Sequence, residues 1–343
     1  MADETRILTA SCHCKSSTLS FTIPSSSLPL PTHFCHCSVC RKTHGTLCTI
    51  HTPIPPPTVD LSTFTSYASS EAVMRLFCAT CGTHMLDRET ERDGKGERWC
   101  VATSLVDAEE GTWRFGAHNF LESTGDGGFS NWLQEIGGEK VEMWREKSGD
   151  AGGDWVSPLA HTAKDKRSEE LDKKNDGKLR ARCHCGGIDF FISRPDPNSF
   201  THMPESLTPK DKSKWHASLD ACTSCRLCSS NFITAWAFPL VSAITLPDGS
   251  PYTPTFGTAK YYSSSEGVSR TFCGTCGALV SYACDDRPEM IDIGVGLLES
   301  GAGALAGDWL EWRTQKVSWE EDAVWKKAVG SLKDGLKKWG EGS

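Results

Sequence analysis

Seven cysteines in the first half of the chain fall into three clusters, and a closely similar set recurs in the second half. The first set is Cys12-His13-Cys14, Cys35-His36-Cys37-Ser38-Val39-Cys40 and Cys78-Ala79-Thr80-Cys81. The second is Cys183-His184-Cys185, Cys222-Thr223-Ser224-Cys225 and Cys273-Gly274-Thr275-Cys276. Paired thiols at these short spacings are zinc spacing. The recurrence predicts two metal-binding domains, and the differences between the copies show where activity would reside.

Nothing in the bulk sequence opposes this. The chain has 343 residues, enough for two domains of ordinary size, and a net charge of −8, which argues against phosphate-driven nucleic-acid binding and an anionic membrane partner. Met1 to Thr9 lacks the apolar core of a signal peptide, and no stretch is apolar enough for a membrane span. The expected location is therefore cytoplasmic, with the nucleus as a second compartment. In a reducing compartment the 17 cysteines are expected to be metal ligands rather than disulfides, with Cys48, Cys100 and Cys284 as isolated buried thiols.

Aligning the clusters places two insertions in the second copy. Cys12 to Cys183 is an offset of 171 (183 − 12), Cys40 to Cys225 is 185 (225 − 40), and Cys78 to Cys273 is 195 (273 − 78). The first insertion falls in Pro195 to Trp215, and the second near Leu246 to Gly257, where Pro247-Asp248-Gly249 signals a turn. The mixed-charge stretch 161–178 reads as a solvated linker. Short apolar runs, among them Leu47 to Thr52, Trp99 to Thr103, Ile188 to Ile192, Phe232 to Phe238 and Met290 to Val295, predict mainly β domains. Helices are expected at Ser130 to Ile136 and at 319–340, the latter amphipathic and docked on the second copy. The expected boundaries are 6–155 for the first domain, 179–318 for the second and 319–340 for the terminal helix.

Residues i and i+2 of a strand point the same way, so Cys12 and Cys14 can join the Cys78-x-x-Cys81 knuckle in a four-thiolate zinc site. Cys183, Cys185, Cys273 and Cys276 form its counterpart. A filled tetrahedron is structural. The middle cluster differs, because Cys35, Cys37 and Cys40 supply three thiolates and leave a position for water or a thiol. Three thiolates blunt Lewis acidity toward water and suit the holding and deprotonation of an exogenous thiol. His36 is a further donor, though alternation points it away, and His33 or His44 could close the site. In the second copy Asp220, Cys222 and Cys225 stand at the matching positions, with Cys228 as an alternative donor; with a carboxylate in place of the first thiol this site is expected to be degenerate.

The order of these motifs resembles the glutathione-dependent formaldehyde-activating enzyme family, also called the GFA or CENP-V domain. Cys12-His13-Cys14 and Cys183-His184-Cys185-Gly186-Gly187 are similar to its opening motif, and Cys35 to Lys42 with Gly45 to its middle motif. Tyr67-Ala68-Ser69-Ser70 leading to Phe77-Cys78-Ala79-Thr80-Cys81-Gly82 resembles its closing motif, as does Tyr262-Ser263-Ser264 leading to Phe272-Cys273-Gly274-Thr275-Cys276-Gly277-Ala278. The resemblance implies two β-tent-like domains of hairpins around a structural zinc. It also implies a second, three-cysteine zinc at a glutathione site, and a carbon–sulfur lyase activity that condenses glutathione with formaldehyde. The expected cofactors are two structural zinc ions and one or two at substrate sites.

Two functions follow from this sequence. The first is a zinc enzyme forming or breaking thiol adducts at Cys35, Cys37 and Cys40, with a small thiol and a small aldehyde as partners and Arg41 or Lys42 pairing a substrate carboxylate. The second is a non-catalytic tandem zinc scaffold for a protein partner. In the enzyme reading, residues 1 to 160 alone are expected to carry the activity.

Overall fold

In the computed structural model, the described residues are 4–90, 96–147, 170–171, 173–196, 198–201 and 203–342. Most of the linker 161–178 therefore lies outside them. The fold is mainly β.

In the first half, β1 (Thr5–Ser11) and β2 (Thr18–Pro24) form a hairpin whose turn carries Cys12 and Cys14. Leu19, Phe21 and Ile23 alternate inward along β2, as a half-buried strand requires. The chain continues through β3 (Leu30–Cys35), helix α1 (Ser38–His44), β4 (Thr49–Ile54), β5 (Phe64–Ala68), β6 (Val73–Cys78), β7 (His84–Thr90), β8 (Glu97–Ala102) and β9 (Trp113–Asn119). It ends in three two-residue strands, β10 (Glu135–Ile136), β11 (Glu139–Lys140) and β12 (Glu142–Met143). The main sheet has the order β12-β9-β3-β4-β8-β7-β6-β5.

The second half repeats this course. β13 (Leu179–Arg182) and β14 (Asp189–Ile192) form the hairpin, flanked by β17 (Ile244–Thr245) and β22 (Leu298–Glu299). Its main elements are β15 (Trp215–Asp220), α2 (Thr223–Ser229), β16 (Thr234–Ala237), β18 (Ala259–Ser265), β19 (Val268–Cys273), β20 (Leu279–Cys284), β21 (Asp292–Gly294) and β23 (Leu310–Trp312). Their order is β18-β19-β20-β21-β16-β15-β23, that of the first sheet without a partner for β12. Both insertions of the sequence alignment lie in loops between these strands.

Contacts between the halves are reciprocal. His13 Nδ1 lies 2.7 Å from the Tyr262 hydroxyl, and His184 Nδ1 lies 2.7 Å from that of Tyr67. Gly82 has φ +76°, and a Cβ there would stand 2.4 Å from the Phe272 ring; Gly277 has φ +76°, and its Cβ would stand 2.8 Å from the Phe77 ring. Only glycine satisfies both the left-handed backbone and the close approach. The same patch of each half thus meets its counterpart, the arrangement of an isologous dimer within one chain. His84 Nε2 reaches the Cys276 carbonyl at 3.0 Å, and Asn231 donates to that of Cys48 at 2.6 Å, so the seam is polar as well as apolar.

Two helix expectations also change. Ser130 to Ile136 is a 3-10 turn at Gly128–Asn131 followed by β10, because Asp126 and three glycines of positive φ (Gly125, Gly127, Gly128) set a tight turn before it. The terminal helix α3 spans Lys326–Glu341 rather than 319–340; Trp319 is exposed, and a 3-10 turn occupies Glu320–Asp322. It docks mainly on the first half and also touches the second at Phe232 and Thr314. Glu110 accepts from the amides of Lys327 (3.0 Å) and Ala328 (2.7 Å), which satisfies donors left free at a helix start and sets a negative charge at its positive end. Trp325 contacts Phe115 and Phe232, and Trp339 contacts Trp132. The buried Trp132 and Leu133 give the apolar stripe Ala328, Val329, Leu332 and Leu336 a surface to cover. Among the described residues no helix is long and apolar enough to cross a membrane.

Candidate metal centres

All 17 cysteines are free thiols. Cys12, Cys14, Cys78 and Cys81 place their sulfurs within 4.8 Å of one another, as do Cys183, Cys185, Cys273 and Cys276. Four ligands about 2.3 Å from a tetrahedral zinc would stand about 3.8 Å apart. The observed separations of 3.5 Å (Cys12–Cys14), 3.6 Å (Cys14–Cys78), 3.5 Å (Cys183–Cys185) and 3.4 Å (Cys185–Cys273) fit that ion. Both groups are built by the same backbone bonds. Cys12 and Cys183 each donate N–H to the carbonyl five residues on, both at 3.1 Å, and Gly82 and Gly277 close the knuckles onto the carbonyls of Cys78 (2.9 Å) and Cys273 (2.8 Å). Hydrogen bonds from the other cysteines hold Cys78 and Cys273 well below the usual thiol range.

Cys35, Cys37 and Cys40 form a third set within 4.8 Å, and among the described residues no fourth donor joins it. Cys35 ends β3, Cys37 caps α1 by accepting the Cys40 N–H (3.3 Å), and Cys40 lies in the first turn. Cys35 and Cys40 are buried, and Cys37 is half-buried. Cys40 is pushed well below its ordinary value by hydrogen bonds from Cys35 and Cys37 and by the Arg75 guanidinium. Arg75 donates from Nη2 to the Cys40 sulfur (3.3 Å), from Nη1 to Asp87 (2.9 Å) and from Nε to the Ser69 hydroxyl (3.0 Å). His51 Nε2 stands 3.5 Å from Asp87.

The histidines do not close this set. His36 faces away, with Nε2 2.9 Å from His118 Nδ1, and burial holds it neutral, well below its ordinary value. His44 Nδ1 lies 3.0 Å from the Thr43 hydroxyl and stacks on His84. Burial lowers His33 to about 4. Neither basic candidate is free for a substrate. Arg41 is buried and donates to the carbonyls of His36 (3.1 Å) and Ser123 (3.0 Å), and Lys42 pairs with Glu299 of the second half. Arg75 escaped the sequence reading, although the signal was there. Ser69 and Arg75 recur as Ser264 and Arg270 at the same offset of 195 (264 − 69 and 270 − 75).

Asp220, Cys222 and Cys225 form a fourth set within 4.8 Å, so the structure keeps the substituted carboxylate in the cluster. Cys222 caps α2 as Cys37 caps α1, accepting the Cys225 N–H at 3.3 Å. Arg270 donates to the Cys225 sulfur (3.5 Å), but Tyr282 takes the place of Asp87 and lies under the guanidinium. Cys228 is buried outside the set. Cys48 and Cys100 are buried and raised to about 12 by burial, and Cys284 is half-buried. Among the described residues a broad cleft of about 1550 Å³ opens near Trp132, His216, Trp312 and Trp339, and no cysteine lines it.

The family described as glutathione-dependent formaldehyde-activating enzyme matches residues 7–123. Over those residues the chain is similar to that family. The match spans the first four-thiolate group and Cys35, Cys37 and Cys40. No curated protein matches the chain. A crystal structure of a Rhodobacter sphaeroides protein aligns at 18% identity over 39% of this chain and 99% of its own, with a TM-score of 0.26.

Proposed function

We propose that residues 6–155 and 179–318 are two copies of the family domain, and that the chain is a zinc-dependent carbon–sulfur lyase. Its substrates are a small thiol, glutathione by the family's description, and formaldehyde or a related small aldehyde. One observation carries this reading. Cys35, Cys37 and Cys40 form a three-thiol set with no fourth protein donor among the described residues, in a chain that elsewhere completes two sets of four. Zinc held there supplies a positive, thiophilic anchor that favours the thiolate of an incoming thiol.

The protein's own groups prepare the site. Arg75, fixed by Ser69 and Asp87, keeps negative charge on Cys40 and so keeps that sulfur ready as a ligand. The half-buried Cys37 marks the side open to solvent. In the reaction the substrate sulfur gives an electron pair to the aldehyde carbon, and the C=O π pair moves to oxygen. The thiol proton is released and a proton is returned to that oxygen. Thiol and aldehyde become one hydroxymethyl thioether, and reversal breaks the same C–S bond.

Exchange NMR of glutathione with formaldehyde tests this. The zinc-loaded chain should speed adduct interconversion, and the Cys37→Ser variant should return it to background. An unchanged rate with the fully loaded wild-type chain contradicts the proposal.

A further inference from the structure

The second half contains a centre of different composition that the family match, ending at residue 123, does not reach. We propose that Asp220, Cys222 and Cys225 hold a divalent metal ion, with Asp220 as an oxygen ligand and a remaining position suited to a ligand that binds through oxygen.

The frame is that of the first centre. Cys35 pairs with Thr49 on one side and Asn119 on the other; Asp220 pairs with Thr234 and Ser318 in the same positions. The helix cap and the arginine on the last sulfur are also repeated. The fold therefore presents a carboxylate and two sulfurs where the first half presents three sulfurs.

The grouping suits a cation. Cys225 is buried, and Asp220 and Cys222 are half-buried. Among the described residues Asp220 has no ion pair within 4.0 Å, and its carboxylate accepts the Cys222 N–H at 2.8 Å. Arg270 donates to the Cys225 sulfur, and three potential ligands grouped this closely suit a bound cation. Oxygen in place of sulfur makes the site harder and shifts its preference toward oxygen donors.

The surroundings agree. Arg270 is 3% exposed, and its Nη1, the atom that in Arg75 binds Asp87, is buried without a partner and free for a ligand oxygen. Ser224 replaces Val39 of the first half, and its hydroxyl lies 3.0 Å from His13 Nε2. His13 of the first half thus reaches the helix that carries Cys225.

The test counts and types the metals of the full chain. Elemental analysis should give four equivalents for wild type, three for Asp220→Ala and for Cys225→Ser, and four for Asp220→Cys. Cadmium NMR of the cadmium-loaded chain should show four resonances, one from a sulfur-poor site that moves toward the thiolate-rich region in Asp220→Cys. The two four-thiolate resonances report that each variant is folded. Cys37→Ser should remove a different resonance, which separates this proposal from the lyase reading. Equal metal content in wild type, Asp220→Ala and Cys225→Ser would overturn the site. A resonance that does not move in Asp220→Cys would overturn the oxygen ligand.

Discussion

The four-thiolate groups of the two halves are nearly superposable in their bonding, whereas the three-ligand centres beside them have diverged. Cys12 and Cys183 make the same turn at the same distance, and the knuckles at Cys78 and Cys273 close alike. At the other centres Asp220 stands for Cys35, Tyr282 for Asp87 and Ser224 for Val39. A closed tetrahedron joins distant chain segments, so a change in any ligand costs folding free energy. An open centre closes only a few residues of chain, so its donors and neighbours can change while the fold persists.

The largest expected effect breaks the part that is alike. Cys12→Ser and Cys183→Ser should each destabilise the chain severely, since structural zinc contributes on the order of 10 kcal/mol in small metal domains. Cys37→Ser should leave thermal unfolding nearly unchanged, and unfolding of the first half in that variant would make its centre structural. The seam extends the first result, because each half unfolded alone would strip the other of its partner surface. Residues 1 to 160 expressed alone should therefore show far weaker amide protection in β6 and β7 than the full chain, and equal protection would show the seam to be incidental.

A smaller effect probes the seam itself. Gly82→Val and Gly277→Val should each cost about 1–3 kcal/mol from overpacking, with backbone strain added, because each new side chain meets the opposite half's phenylalanine. A denaturant series on the two variants measures this, and a cost at only one of them would break the reciprocity.

The smallest effect separates the halves by acid. Burial lowers His84 and His118 to about 4, and His36 and His44 well below their ordinary values, so the first half folds around neutral imidazoles. In the unfolded chain these groups titrate near 6.5. The stability they contribute is present above that value and is lost as pH falls from 6.5 toward 4. The second half has one such group at about 4, His216. Hydrogen exchange at pH 5 against pH 7.5 should show β3 and β9 losing more protection than β15 and β23.

Much of this was legible in the sequence, for identifiable reasons. Thiol spacing is a local property, so the two sets of four and the set of three could be grouped before any coordinate. Insertions in loops left the strand order intact. What escaped depended on distant partners. Arg75 looks like any strand arginine until β6 sets it against Cys40. Arg41 and Lys42 look free until Ser123 and Glu299 are folded against them. The terminal helix shows its apolar stripe in sequence, but its docking surface is set by Trp132 and Glu110, some two hundred residues earlier. Tyr67 and Tyr262 belonged to recognised motifs, yet their bonds to His184 and His13 cross the seam, which no spacing reveals.

The comparison between the open centres is decided by one measurement on the whole chain. Glutathione–formaldehyde exchange should be followed by NMR for wild type, Cys37→Ser and Cys222→Ser at equal content of the two four-thiolate metals. The account expects Cys37→Ser to lose at least about tenfold in exchange rate, a barrier change of about 1.4 kcal/mol or more, and Cys222→Ser to match wild type. Retained exchange in Cys37→Ser together with its loss in Cys222→Ser would contradict the assignment of the thiol chemistry to Cys35, Cys37 and Cys40.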